Sequence, residues 1–383
     1  MVDSIIFPFE TQIIKRIALL DSDLKNARNV LRYIFGRGAI NNLKDLLLER
    51  KADGPSCAVY FIDKFFENFP GPLESLCISE LDQVLYVDTQ EEPTTDYVND
   101  LKDQVLNAVD MLPHAIVGIG GGSTMDVAKA VSNLLTNAGK AEDYQGWDLV
   151  KFPGVYKIGI PTLSGTGAET TRTCVMTNPS NGLKLGMNSD YTVFDQIILD
   201  PELTKTVPRD QFFFTGMDTF IHCIESLSGN YRNAIGDAFS SQAIQLCREV
   251  FLSDDMMSEE NRQKLMVASY LGGCAVGNSF VGVLHPFSAG LSVVLKVHHC
   301  LANCITMTAM KQFYSEGVKE FFEMADKQKI KIPRGSCRDL TEDQYNQLYQ
   351  ATIIHEKPLA NALGNDFRNI LTKEKTKEIF QVM

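Results

Sequence analysis

The sequence predicts an α/β half of Rossmann-like type, built on a parallel sheet, followed by an all-α half. Three observations predict it. Short apolar runs rich in β-branched residues alternate with helical stretches early in the chain, glycine and hydroxyl clusters follow two of those runs, and from Arg209 onward helical periodicity takes over almost everywhere. A strand buried on both faces has no polar face to alternate. Continuous apolar strands interleaved with helices therefore indicate a parallel sheet covered on both sides.

The elements follow in order. Residues 1–24 read as an extension. Phe35-Gly36-Arg37-Gly38 is a turn signal leading into a helix over about 41–50. Strand-like runs follow at 57–62, ending at Asp63, then at 84–87, 115–119 and 156–160, with helical stretches between the first three, such as 96–111. A further helix is expected over 127–135. The texture changes near Asp200-Pro201, and Pro208 marks the boundary between an α/β domain, 25–207, and a helical domain, 208–383. In the second half, helices are expected over 233–252, 259–276 and 342–355.

Size and composition agree. A chain of 383 residues, 44% hydrophobic and 22% charged, is long enough for two cores. A net charge of −12 argues against nucleic acid and anionic lipid, both of which need a basic footprint. No apolar run reaches the ~18 residues that suggest a membrane span. The first residues carry Asp3, Lys15 and Arg16 where a signal peptide needs other residues, so the expected location is the cytoplasm. The nine cysteines, an odd number with no CxxC pair, suit a reducing compartment without disulfides. Cys300 and Cys304 read as small buried hydrophobes.

The third strand runs into Gly120-Gly121-Gly122-Ser123-Thr124 and then a helix. Glycines let backbone N–H groups approach a pyrophosphate, and the helix N-terminus adds partial positive charge. Ser123 or Thr124 is a candidate helix cap that also meets a phosphate oxygen. The spacing is not GxGxxG, so a purely structural turn is the competing reading. A second cluster after the fourth strand, Pro161 to Thr170, is dense in hydroxyls and glycines. Two such loops at strand C-terminal ends point to a ligand crevice. Asp63 has two readings: an acceptor for adenine-ribose hydroxyls that repels the extra phosphate of NADP, or a cap for the next helix.

The helical half carries the other constellation. Asp218 and His222, four apart, share one helix face. Alone, such a pair is commonly a plain surface or core contact. His285 and His299 change that, because three of the chain's six histidines with Asp218 make an Asp/His/His/His donor set suited to Fe²⁺ or Zn²⁺. A metal there would lower the pKa of a substrate hydroxyl, so that hydride passes to a nicotinamide. His298 reads as a proton relay or as an exposed neighbour of His299. His114 and His355 carry no assigned role.

These motifs, GGGSTMDVAKA (120–130), PTLSGTGAET (161–170), KLG (184–186), GMDTFIH (216–222) and the His285/His299 pair, resemble the iron-containing (group III) alcohol dehydrogenases from about Phe35 into the late helices. The resemblance implies the dehydroquinate synthase-like fold of that family and a metal held by Asp218, His222, His285 and His299. It implies NAD contacts from Asp63, Gly120, Gly121, Gly122 and Ser123, with further contacts from Thr162, Ser164, Thr166 and Lys184. It also implies a homodimer acting on a small-molecule alcohol. Many relatives carry a second histidine four residues after the third ligand, where this chain has Ala289. In an alternative register His285 takes that role and Val281 stands at the ligand position; the spacing to His299 favours His285 as the ligand.

CVMTNPSNGLKLGMNSD (174–190), HPFSAGLSVVL (285–295) and IHEKPLANALG (354–364) are similar to the 3-deoxy-D-manno-octulosonate 8-oxidase branch. Those enzymes oxidise a terminal hydroxyl of a lipopolysaccharide sugar acid, and the branch name implies oxygen as a net electron acceptor. For a sugar acid, Arg172 and Lys184 are candidate carboxylate partners. The rival classes are a dehydroquinate synthase-like lyase and a glycerol-1-phosphate-type dehydrogenase. Such enzymes usually offer Glu in place of Asp218 and extra Lys and Arg for a phosphate. A non-catalytic metal or nucleotide binder is the third alternative.

Overall fold

The computed structural model describes residues 28–51, 56–109 and 111–383. The 1–24 extension lies outside the described residues. Six strands form one parallel sheet in the order β1-β9-β6-β4-β2-β3. They are β1 (Arg32–Phe35), β2 (Ala58–Asp63), β3 (Gln83–Val87), β4 (Ala115–Gly120), β6 (Lys157–Pro161) and β9 (Gln196–Leu199). β2, β4, β6 and β9 are buried along almost their whole length, as strands covered on both faces must be. Helices α1 (Leu43–Leu48), α2 (Phe65–Asn68), α3 (Thr95–Ala108) and α4 (Gly122–Leu134) lie between them.

Four expected strands are present within one or two residues. β1 and β9 were not expected, nor was a second sheet of β5 (Gly146–Trp147), β7 (Thr173–Asn178) and β8 (Leu183–Asn188). The first helix is shorter than expected, a 3₁₀ turn over Ala39–Asn42 followed by α1. The helix behind the glycines starts earlier, at Gly122, with Gly121 as its cap residue. Ser123 and Thr124 therefore sit inside the first turn and cap nothing, because the extended Gly121 takes the cap position and Gly122 is already helical.

Beyond β9 the described chain forms helices only: α5 (Arg209–Ser228), α6 (Ala234–Phe251), α7 (Glu259–Ser279), α8 (Leu284–Leu295), α9 (His299–Met307), α10 (Ser315–Lys327), α11 (Glu342–Ile353), α12 (Glu356–Leu363), α13 (Phe367–Ile370) and α14 (Lys373–Gln381), besides a short 3₁₀ turn. One apolar core, drawn entirely from residue 212 onward, holds them together. Two other cores flank the sheet. Among the described residues, no single helix is long and apolar enough to cross a membrane.

The seam between sheet and helices is made by the loop after β6. Gly165 lies so close to α5 that a Cβ there would stand 1.7 Å from the Thr215 carbonyl oxygen. Gly167 meets Gly273 of α7, where a Cβ would stand 2.6 Å from the partner Cα. Both glycines have positive φ, +149° and +64°. The Thr219 hydroxyl donates to Gly165 O (2.6 Å), and Gly167 N–H donates to Ser269 Oγ (3.3 Å).

Candidate metal centre and cofactor cleft

Asp218, His222 and Glu225 stand at i, i+4 and i+7 on one face of α5, all buried. His285 comes from the first turn of α8 and His299 opens α9. Their rings converge on the fully buried Asp218 carboxylate. His222 Nε2 lies 3.5 Å and His285 Nε2 3.3 Å from Oδ1, and His299 Nε2 lies 3.5 Å from Oδ2. One ligand atom from each of Asp218, His285 and His299 lies within 4.8 Å of the others. His222 stands at the edge of that set, its ring stacked on His285 at 4.6 Å.

The electrostatics suit a cation. Burial pushes the Asp218 carboxyl up, but the three surrounding imidazoles hold it below the usual carboxylate range. Burial lowers His222 and His299 to about 4 in spite of Asp218, so both rings are neutral and keep a lone pair to donate. Distances of 3.3–3.5 Å are long for three hydrogen bonds to one carboxylate. They match the edges of a tetrahedron with donor–metal distances of ~2.1 Å, which are roughly 3.4 Å. His222 Nδ1 and His299 Nδ1 are buried without a partner. This donor set fits a divalent ion.

Two residues of this centre escaped the sequence reading. The Glu225 carboxylate faces His285 Nδ1 and accepts from Leu284 N–H (2.6 Å) and the Tyr314 hydroxyl (3.3 Å). Burial alone would lower His285, but Glu225 and Asp218 raise it to about 9. Without a metal the ring is therefore charged, its Nδ1 proton facing Glu225 and its Nε2 proton facing Asp218; a bound metal would displace the Nε2 proton. Asn303, one turn after His299, donates from Nδ2 to Asp218 Oδ1 at 2.6 Å. Glu225 was findable at i+7 from Asp218, and Asn303 at i+4 from His299.

A cavity of about 1030 Å³ runs from this cluster to the glycine turn. Its wall includes Asp63, Gly121, Gly122, Ser123 and Thr166, as well as His222, His285 and His299. At Gly121 a Cβ would meet Leu163 Cδ1 at 2.8 Å, so the backbone is bare there because the loop behind leaves no room. Asp63 lies in the cavity wall at the end of β2. It accepts from Phe65 N–H (3.0 Å) through one oxygen, and from the hydroxyls of Thr89 (3.2 Å) and Thr124 (3.5 Å) through the other.

Three expected cofactor contacts lie off the cavity wall. Gly120 ends β4, its carbonyl taken by Thr162 N–H (2.9 Å), and Thr162 and Ser164 are buried behind the loop. Lys184 reaches the wall, but its ammonium is paired with Glu92, whose other oxygen accepts from His299 N–H (2.9 Å). Burial pushes Glu92 up, yet Lys184 and His299 hold it at about 2. Arg172 also reaches the wall, with its guanidinium on Asp148 and Asp190 (3.1 Å). His298 is exposed at the cavity lip, Ala289 lies in the wall, and Val281 sits near His285 in the same wall. His114 meets Ser56 Oγ at 2.8 Å, away from the cavity. All nine cysteines are free.

A parallel sheet with a bare glycine turn faces a helical half with an imidazole–carboxylate cluster, and the family profiles make the chain an oxidoreductase acting on a CH–OH group. The chain belongs to the iron-containing alcohol dehydrogenase family: residues 31–201 match that family's profile, and residues 212–351 match its C-terminal profile, Fe-containing alcohol dehydrogenase family, C-terminal. It is 34% identical to a sulfoacetaldehyde reductase of Bilophila wadsworthia (strain 3_1_6), over 71% of this chain and 70% of that one. It is 31% identical to an NAD-dependent methanol dehydrogenase of Bacillus methanolicus, over 72% of each. The fold matches a 1,3-propanediol oxidoreductase (TM-score 0.78, 20% identity, 93% and 98% of the two chains). It also matches the sulfoacetaldehyde reductase of Bifidobacterium kashiwanohense in complex with NAD+ (TM-score 0.74, 21% identity, 93% and 97%).

Proposed function

We propose that the chain interconverts a primary alcohol and its aldehyde with NAD, using a divalent ion held by Asp218, His222, His285 and His299. The observation that carries this reading is the convergence of three imidazole nitrogens on one buried carboxylate, at the far end of a cavity from a bare glycine turn. Residues 25–207 would form the dinucleotide-binding domain and 208–383 the metal-binding domain; the start of α5 at Arg209 supports that division.

When bound, the ion supplies Lewis acidity to a substrate hydroxyl, and the nicotinamide supplies hydride capacity. The chain's own residues do the rest. Asp218 gives the centre its charge. Glu225 fixes the tautomer of His285, and Asn303 fixes the Asp218 carboxylate. Gly121 and Gly122 let backbone N–H groups meet a pyrophosphate at the start of α4. Asp63, at the end of β2, favours ribose hydroxyls and repels the extra phosphate of NADP. The donor set suits Fe²⁺ and Zn²⁺ alike.

Within this class we favour a sugar acid, with the 8-hydroxyl of 3-deoxy-D-manno-octulosonate as the first candidate. Lys357 supports an anionic substituent: it lines the cavity, sits 3.7 Å over the Trp147 ring, and makes no ion pair with a described carboxylate. It suits that role better than Arg172, which already holds two acids. The test is NADH formation by Fe²⁺-reconstituted enzyme without oxygen, with the sugar acid and 1,2-propanediol compared, and NADH oxidation with sulfoacetaldehyde as the reverse arm. NADH from the sugar acid supports the full reading. Turnover of another substrate alone keeps the reaction class and removes the sugar acid. No nicotinamide turnover in any arm, with metal bound, sinks the NAD-linked reading.

A further inference from the structure

One imidazole in the cavity has no part in the metal centre. His355 links α11 to α12; its N–H donates to Thr352 O (3.3 Å), and its carbonyl accepts from Leu359 N–H (3.1 Å). The ring lines the same cavity as His285 and His299, and makes no hydrogen bond to any other described residue. The residue is half-buried. Burial, helped by Lys184 and His285, lowers it to about 4, so it is neutral and offers one donor and one acceptor.

The packing brings it there. α11 runs along α8, the helix that carries His285, and the contact depends on Gly290: a Cβ there would stand 3.1 Å from Thr352 Oγ1 and 3.3 Å from Leu348 O. Ala289, beside it, leaves open space in the wall. The end of α11, and His355 after it, is thereby drawn toward the metal centre. Its ring nitrogens are not sealed in the packing but open onto the cavity, where a bound molecule can take up the hydrogen bonds that no described residue makes. A neutral imidazole matches a hydroxyl, which also donates and accepts, better than it matches an anion.

We propose that His355 is a substrate-recognition residue that hydrogen-bonds a second hydroxyl of the substrate, so that this cavity selects polyhydroxylated alcohols over simple alkanols. This rests on the alcohol-dehydrogenase reading above and says which alcohols fit it. The test compares glycerol with 1-propanol in metal-loaded, NAD-saturated enzyme, for wild type, His355→Ala and His355→Gln. Binding is read from the fluorescence of Trp147, the chain's sole tryptophan and part of the cavity wall, and turnover from NADH. For His355→Ala we expect roughly a 10-fold weaker glycerol affinity, carried by KM and not kcat, with 1-propanol unchanged. His355→Gln, which keeps a donor and an acceptor, should restore part of the loss and guards against misfolding of the alanine variant. Equal loss for both alcohols, or wild type binding glycerol no better than 1-propanol, overturns the proposal. If no alcohol is turned over, the dehydrogenase reading fails, while the fluorescence titration still decides whether glycerol binding depends on His355.

Discussion

The two ends of the cavity are built by different means. The proposed cofactor end is backbone: bare glycines after a strand end, held in place by what packs behind them. The proposed metal end is side chain: a carboxylate and three imidazoles from three helices, with Glu225 behind His285 and Asn303 on Asp218. A backbone-made surface is sensitive to added atoms and tolerant of lost ones. A side-chain-made site is the reverse, since removing one donor leaves the others buried and unbalanced.

The sharpest break in that comparison is Asp218→Ala. It should abolish bound metal, read by elemental analysis, and bring turnover to background while NAD titration is unchanged. Loss of NAD binding as well would mean that the two ends are one cooperative unit. Next comes Gly165→Ala, which adds one methyl where only 1.7 Å is open to the Thr215 oxygen, at φ +149°. It should cost ~4 kcal/mol or more, read as a fall in urea midpoint. A neutral result would show the seam to be compliant. Glu225→Gln keeps the shape of the side chain and loses its charge. It should weaken metal affinity by roughly 10–100-fold in chelator competition, leaving NAD affinity alone.

The smallest effect concerns the sheet itself. Lys157 is buried, which lowers it from 10.5 to about 8 in spite of Asp195 at 3.7 Å. Its folded pKa is below its unfolded one, so between pH 8 and 10.5 the unfolded chain binds more protons. Stability from this group therefore rises with pH across that window and is level below about 8, where both states hold the proton. From pH 7.5 to 10.5 the urea midpoint of wild type should gain on that of Lys157→Met; a constant difference would show that Lys157 is not held low.

What the sequence made legible follows the same division. The four strands read in advance are continuous apolar runs, whereas β7 and β8 alternate buried and half-buried residues in pieces too mixed to stand out. β1 is a four-residue edge strand with three exposed residues, so it has little apolar signal. β9 is fully buried but only four residues long, beside the Asp200-Pro201 break. The cluster of Asp218, His222, His285 and His299 was visible because histidine is rare in this chain and the Asp218–His222 spacing fits a helix. Glu225 and Asn303 were not, because carboxylates and amides are common and only their contacts distinguish them. His355 was invisible for another reason: nothing local links it to a cleft whose other walls lie far away in the chain.

The glycine contacts at the seam have a mechanical consequence. The loop from Pro161 to Thr170 leaves the sheet but is fastened to α5 and α7, backbone against backbone at Gly165 and Gly167. Contacts this close resist sliding, because any shift drives main-chain atoms into each other. The seam thus works as a fixed weld between sheet and helices, and on the other side of the cavity Glu92 makes a second tie, pairing with Lys184 and accepting from His299 N–H at the start of α9.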